Sequence, residues 1–302
     1  MRQLTTEDLK TLEVDLKNYF PQSLQVYGCI VQLNRRRADP VSVFVDLWPD
    51  FRVLLIKPEI RETGDHFKDL TVFSKNDVCL RDLLLAQTDV IDWKMYICLA
   101  TELHHEKMLE FVAINRGVPM KKEAVCLEMV LREPSKCSQI DRIASVTPEG
   151  RLTLTLQDFW LDFDVADRFP SVSLKLSSLN ESHLALVNSS WKFGCEHSKV
   201  MIKNMILNFP SCCVLDADDQ PVAWILTYPS CALGMLYTVP EHRGKGYAKA
   251  LVTIMSKRLH SQGCPVYCFI EEKNQLSYRL FTSLGFTEEP DYRAAWFGFN
   301  DF

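Results

Sequence analysis

Several things are missing from this 302-residue chain, and each absence removes a class. No run approaches the ~18 to 20 apolar residues of a membrane span; the longest apolar stretches, such as the one around Val41–Trp48, are strand-sized and broken by polar residues. Glycine (11) and proline (14) are too scarce for a fibrous or low-complexity chain. A basic excess is missing as well: 34 Lys and Arg stand against 39 Asp and Glu, a net charge of −5, so a nucleic-acid-coating protein is not expected. There is no CxxC pair, no HExxH and no Cys/His finger spacing, so no metal centre is expected either. The N-terminal Met1–Asp8 has neither an apolar signal core nor an Arg/Ser-rich, acid-poor transit pattern, which argues against secretion and leaves no recognisable presequence.

What is present is a globular composition. Hydrophobic residues make up 47% and charged residues 24%, enough to bury a full core, and the length corresponds to about two domains of roughly 150 residues. Eleven cysteines is a large number, but it is odd, and a chain of this size does not depend on a disulfide framework; reduced thiols in an intracellular protein are expected.

Leu9, Leu12, Leu16 and Phe20 predict a helix over Thr5–Phe20, capped by Thr5 or Thr6 and stopped by Pro21. Strands are expected at Leu24–Leu33, Pro40–Leu47 and Phe51–Ile56, with Arg35-Arg36-Arg37 at a hairpin tip. Helices are expected at Asn76–Gln87 and Trp93–Arg116, and a strand at Ala124–Leu131. Glu133–Arg151, rich in turn formers, reads as an interdomain connection and divides the chain into residues 1–150 and 151–302. The second part reads as helices at Asn180–Ser190 and Ser198–Leu207, strands at Cys212–Leu215, Val222–Tyr228 and Ala232–Val239, a helix at Lys245–Gln262, a strand at Val266–Ile270, a helix at Asn274–Leu284 and a last strand at Arg293–Phe299. This is an α/β (α+β) pattern. Both parts open with helix and continue into strands, a faint echo that suggests a duplicated fold.

The chemically informative stretch is Leu236–Leu259. A strand ends at Val239, Pro240 blocks further ladder pairing, and Arg243-Gly244-Lys245-Gly246-Tyr247-Ala248 runs straight into an amphipathic helix. Such a helix start leaves backbone N–H groups pointing one way, and the helix dipole adds to their attraction for a pyrophosphate. Gly244 and Gly246 let the backbone approach the anion, and Arg243 and Lys245 add positive charge. Neither a Walker A loop nor GxGxxG fits, because Lys249 stands where the third glycine would be.

Arg243-x-x-Gly246-x-Ala248 after a strand resembles the acyl-CoA pyrophosphate motif of the GNAT acyltransferases. Asn274-x-x-Ser277-x-x-Leu280-Phe281 with Gly285-Phe286 resembles that superfamily's second signature. Over nearly the whole chain the sequence is similar to the glycine N-acyltransferase family, through Leu24–Gly28, Val45–Phe51, Asp92–Lys94, Leu186–Gly194, Phe209–Cys213, Pro221–Trp224 and Tyr237–Arg243. The resemblance implies tandem GNAT-like domains with mixed central sheets flanked by helices, the first degenerate and the second binding acyl-CoA. It implies transfer of an acyl group from acyl-CoA to the amine of glycine, with no permanently bound cofactor, a monomer, and a mitochondrial or cytoplasmic location. A GNAT that acetylates a peptide or protein amine, and a catalytically weak CoA-binding paralogue, are the alternatives.

By the same resemblance, Leu236, Thr238, Val239, Arg243, Gly244, Lys245, Gly246, Tyr247, Ala248, Asn274 and Phe281 line the acyl-CoA site. Two catalytic positions depart from the family. The general-base glutamate on the strand before the loop falls at Ala232, and the leaving-group tyrosine falls at Phe281. Tyr278, Tyr237 and His242 are the nearest replacements. Trp48 and Trp224 read as core anchors, Cys212-Cys213 as buried thiols, and His104-His105-Glu106 as a solvated helix face without further ligands.

Overall fold

The computed structural model describes residues 1–35, 41–59, 69–86, 90–133, 145–146, 152–155 and 173–300. The strands are β1 (Arg2–Gln3), β2 (Val41–Val45), β3 (Val53–Pro58), β4 (Asp69–Ser74), β5 (Ile97–Glu102), β6 (Met120–Val130), β7 (Ser145–Val146), β8 (Leu152–Thr155), β9 (Ser173–Ser177), β10 (Ser211–Leu215), β11 (Pro221–Thr227), β12 (Leu233–Thr238), β13 (Tyr267–Glu271) and β14 (Thr287–Phe299). The helices are α1 (Thr6–Leu16), α2 (Leu24–Asn34), α3 (Asp77–Leu85), α4 (Glu106–Arg116), α5 (Leu184–Ser190), α6 (Lys199–Asn208), α7 (Tyr247–Ser261) and α8 (Gln275–Ser283).

All the strands join one mixed sheet in the order β1-β2-β3-β4-β5-β14-β6-β13-β12-β11-β10-β9-β8-β7. The internal echo is structural. Two helices, three strands, a helix, a strand, a helix and a strand occur twice: α1-α2-β2-β3-β4-α3-β5-α4-β6, then α5-α6-β10-β11-β12-α7-β13-α8-β14. In each copy the third strand is antiparallel to the second and parallel to the fourth: β4 beside β5, β12 beside β13. The last strands are exchanged. β14 pairs with β5 of the first copy, β6 pairs with β13 of the second, and β6 and β14 pair with each other. The expected mixed α/β architecture with tandem halves is therefore present. The junction expected at 150/151, and Arg36 and Arg37, lie outside the described residues.

Local chemistry accounts for the ends of the elements. Of the two caps the sequence offers, Thr5 is the one that closes α1, in a capping box with Asp8, and Gly117 ends α4 in the left-handed conformation at φ +68°. Asp46 organises the turn between β2 and β3: its carboxylate accepts from the Arg52 and Val53 N–H groups at 2.8 and 3.0 Å and from Arg52 Nε at 2.8 Å. Burial alone would raise the Asp46 pKa, but these bonds hold it lowered.

Three expectations are corrected. Leu24–Leu33 is the helix α2, not a strand, with Leu24, Val26, Tyr27, Ile30 and Val31 buried. A helix covered on most sides is apolar around most of its circumference and loses the amphipathic signature. Arg35 accordingly closes α2 and is not a hairpin tip; it donates to Val31 O and Gly263 O. Trp93–Arg116 is not one helix: β5 occupies Ile97–Glu102, a 3-10 turn Leu103–His105, and only Glu106–Arg116 is α-helical. The sequence reading also omitted β4.

Candidate active site

β12 and β13 share one paired position, Leu233 opposite Cys268. Beyond it the two strands do not pair. β12 is also bulged. Against β11, Leu226 pairs with Gly234 and Trp224 with Tyr237, so β12 takes three steps where β11 takes two. Met235 lies inside that interval at φ +49°, a left-handed conformation that is strained for a residue with a side chain. A bulge re-aims the strand locally, and β12 past Leu233 keeps an edge that β13 does not pair.

The unpaired stretch of β12 leads to the glycine loop. After β12, Pro240–His242 form a 3-10 turn, and Gly244 and Gly246 stand at φ +76° and +79°. Gly246 is the N-cap of α7, with no side-chain cap bond and no acidic residue in the first turn. A Cβ on Gly244 would meet nothing within 4 Å, so the loop faces open space. Gly246 has no side chain to accept from the first N–H groups of α7, and an uncapped helix start of this kind is the arrangement that binds an anion. The equivalent junction of the first half, β4 to α3, is different. Asn76 caps α3 by accepting from Cys79 N–H at 3.0 Å, and Asp77 puts a carboxylate in the first turn. Of these two helix starts, only that of α7 has neither a side-chain cap nor an acidic first turn.

Around the loop, Arg243 Nε donates to Thr238 O at 3.1 Å, and the Arg243 guanidinium lies 5.8 Å from the centre of the Tyr237 ring. Lys245 Nζ is 3.5 Å from His242 Nδ1, and the rings of His242 and Tyr247 are 6.5 Å apart. His242, Arg243, Lys245, Tyr237 and Tyr247 therefore gather at one place. Tyr237 packs on the buried Trp224 at 5.2 Å. Tyr278 sits on α8, where hydrogen bonding to Glu288 raises its phenol pKa. Asn274 caps α8 by accepting from Ser277 N–H at 3.1 Å. Phe281 is buried against Phe286, and Ala232 is 2% exposed within the core. Neither supplies a group able to move a proton.

Other singled-out residues have plain places. Trp224 is fully buried, and Trp48 is half-buried over Phe51. Burial pushes the Cys212 and Cys213 thiols up to about 12, which makes them poor nucleophiles. One charged residue escaped the sequence reading. Glu128 on β6 is completely buried, and among the described residues neither carboxylate oxygen has a hydrogen-bond partner. Burial, reinforced by Glu289 and Glu102, pushes its carboxyl up to about 9. It lines a cavity of about 320 Å³ with Leu24, Val130, Leu131, Cys264 and Val266. No spacing signals such a residue, because its neighbours Val125–Leu127 and Met129–Leu131 are apolar on both sides and show no alternation that marks one face.

Comparison with known proteins decides the family. Residues 1–210 match the family described as aralkyl acyl-CoA:amino acid N-acyltransferase. The chain belongs to that family. Residues 215–296 also match the family described as FR47-like protein. Glycine N-acyltransferase of Rattus norvegicus is 29% identical over 284 residues, 91% of each chain, and glycine N-phenylacetyltransferase of Bos taurus is 27% identical over 283 residues, again 91% of each. Among solved structures, a Drosophila protein superposes with a TM-score of 0.73 over 98% of this chain and 97% of its own, at 20% identity, which is a likeness of fold. Membership of the aralkyl acyl-CoA:amino acid N-acyltransferase family makes acyl transfer the coarse activity of the chain. Among the described residues no helix is long and apolar enough to cross a membrane.

Proposed function

We propose that this protein transfers the acyl group of an acyl-CoA thioester to the amine of glycine, releasing N-acylglycine and free CoA. The observation that carries the reading is the junction of β12 and α7: a bulged strand beside an unpaired cleft, ending in an uncapped helix start with two left-handed glycines. The pyrophosphate of CoA suits the first N–H groups of α7, with Arg243 and Lys245 beside it, and the pantetheine arm suits the open edge of β12. Acyl-CoA is the co-substrate, and no permanently bound cofactor enters the reaction. The relatives named glycine N-acyltransferase support glycine as acceptor.

The reaction is aminolysis. The neutral amine attacks the thioester carbonyl carbon, the carbonyl oxygen gains negative charge, and the C–S bond breaks with sulfur leaving as the CoA thiolate. Backbone N–H groups of β12 that face the cleft stabilise the oxyanion, since fixed dipoles need no reorganisation as charge develops. Ala232 offers no carboxylate, so the amine proton leaves through water, with the His242 imidazole available on the loop beside Lys245. Ala232 and Phe281 also favour a second reading, a CoA-binding paralogue with weak turnover.

Free-thiol release from acetyl-, benzoyl-, palmitoyl- and oleoyl-CoA, with and without glycine and with product mass confirmed, tests both readings. Glycine-dependent release that falls at least tenfold in Arg243→Ala and Gly246→Val is the expected result. Calorimetric CoA binding without release for any amino acid would favour the paralogue. No binding of CoA would sink both.

A further inference from the structure

His104 and His105 have no place in acyl transfer, yet the fold builds a site around them. They sit in the 3-10 turn between β5 and α4, at the first-half position equivalent to the β13–α8 turn. Their ligand-bearing neighbour comes from 28 residues earlier: Asp77, in the first turn of α3. Asp77 Oδ1 lies 3.1 Å from His105 Nε2, and Asp77 Oδ2 lies 3.3 Å from His104 Nε2. One ligand atom from each of the three residues falls within 4.8 Å of the others. Ligand atoms about 2.0 to 2.2 Å from a tetrahedral ion are about 3.3 to 3.6 Å apart, close to the two nitrogen–oxygen distances here.

The opposite ring nitrogens are held as well. His105 Nδ1 is 2.9 Å from Thr101 Oγ1, and His104 Nδ1 is 3.3 Å from the Glu102 carboxylate. With the proton on Nδ1 of each ring, Thr101 and Glu102 accept it, and both Nε2 lone pairs are left facing Asp77. Metal-binding histidines are usually oriented in this way, by a second hydrogen bond that fixes the tautomer. The side chain of His105 is 1% exposed, while those of His104 and Asp77 are 52% and 57% exposed and open the site to solvent.

We propose that Asp77, His104 and His105 bind one divalent transition-metal ion of the zinc class, through two imidazole nitrogens and one carboxylate, with the remaining position open to water. Two nitrogens and one oxygen suit zinc and its first-row neighbours better than magnesium or calcium, which prefer all-oxygen shells. The placement has a structural logic. The site stands where the first half would carry its own pyrophosphate loop; Asn76 and Asp77 have closed that helix start to anions, and the two histidines complete a site for a cation instead. The ion would tie α3 to the β5–α4 turn. This inference does not depend on the acyl-transfer reading.

The test is calorimetric titration of chelator-treated full-length protein with Zn²⁺, alongside Co²⁺ titration read by its ligand-field absorption. One saturable ion per chain, and a Co²⁺ spectrum of low coordination number, are expected. His104→Ala and Asp77→Asn should each weaken binding at least tenfold. Thr101→Val, which leaves all three ligands in place, should weaken it about tenfold through the lost Nδ1 partner. His183→Ala, elsewhere in the molecule, should leave it unchanged, and a urea melt of each variant verifies folding. Folded wild type with no saturable binding below millimolar Zn²⁺ would overturn the proposal. So would binding that persists unchanged in the His104 and Asp77 variants.

Discussion

Glu128 is held far from its solution chemistry. Its carboxyl ordinarily titrates near 4.5, and burial beside Glu289 and Glu102 moves it to about 9, so the folded protein carries it neutral at pH 7. Across the interval from about 4.5 to 9 the folded state therefore holds a proton that the unfolded chain has released. By linkage this contribution to stability is fully present below the unfolded pKa and is lost as pH rises through the interval, by up to about 1.4 kcal/mol per pH unit. Glu128→Gln keeps the shape and removes the ionisation. Urea denaturation at pH 5, 6, 7 and 8 should show the variant gaining on the wild type as pH rises, with an advantage of about 2 kcal/mol or more by pH 8. Parallel curves would mean that Glu128 finds a cationic partner in solution. Ala232 is the complementary case. A glutamate there would enter a packed core position, so the family's base cannot be restored without also meeting the cost of burying a charge.

Among the elements, α2 carries the most unusual packing. It lies so close to the β11–β12 hairpin that a Cβ on Gly28 would stand 1.7 Å from the Ser230 carbonyl oxygen, a backbone atom that cannot step aside. Cys231 Sγ approaches Gly28 O from the same hairpin at 3.4 Å. Gly28→Ala should cost about 2 to 4 kcal/mol, as overpacking and a shifted helix. Gly117→Ala is the useful contrast. Gly117 has φ +68° but open space around it, so only local backbone strain of about 1 to 2 kcal/mol is expected. Equal losses in denaturant melts of the two variants would contradict the close approach. The same helix shows where sequence reading ends. Val26, Tyr27, Ile30 and Val31 are strand-formers by propensity, and the surroundings that make them helical belong to other elements. β5 was absorbed into a helix for the related reason that a short buried apolar run has no period of its own. The C-terminal half was legible because its elements are punctuated: Pro240 and Gly246 open α7, Gly263 follows it, and Asn274 and Gly285 bracket α8. The glycine loop was legible with them. The Asp77–His104–His105 cluster and Glu128 were not, because nothing along the chain announces which residues the sheet will bring together.

Taken whole, the molecule is two copies of one plan that cannot be cut apart along the chain. Ala295, Phe297 and Phe299 of β14 are buried in the core formed by α3 and α4, although they lie at the far end of the sequence from it. Met129 and Leu131, from the first copy, join the core beneath α7. A fragment of residues 1–150 would lose β14, and with it two fully buried phenylalanines, each typically costing about 3 to 5 kcal/mol on truncation to alanine. That loss alone is comparable with the whole stability of an ordinary domain, about 5 to 15 kcal/mol. It would also leave β5 as an unpaired edge in an apolar setting. Residues 151–302 would lose β6, the neighbour of both β13 and β14, and with it the partner that keeps β13 in place beside the cleft. Neither fragment should show a cooperative melt when made alone, whereas co-expression should return a complex that elutes at the mass of the full chain and binds CoA. A folded, monomeric 1–150 with its own sharp transition would show that the strand exchange is dispensable. The exchange also gives the unequal halves a division of labour: the first has closed its helix start and holds the second's last strand, so the half with the open loop owes the wall of its cleft to the half without one.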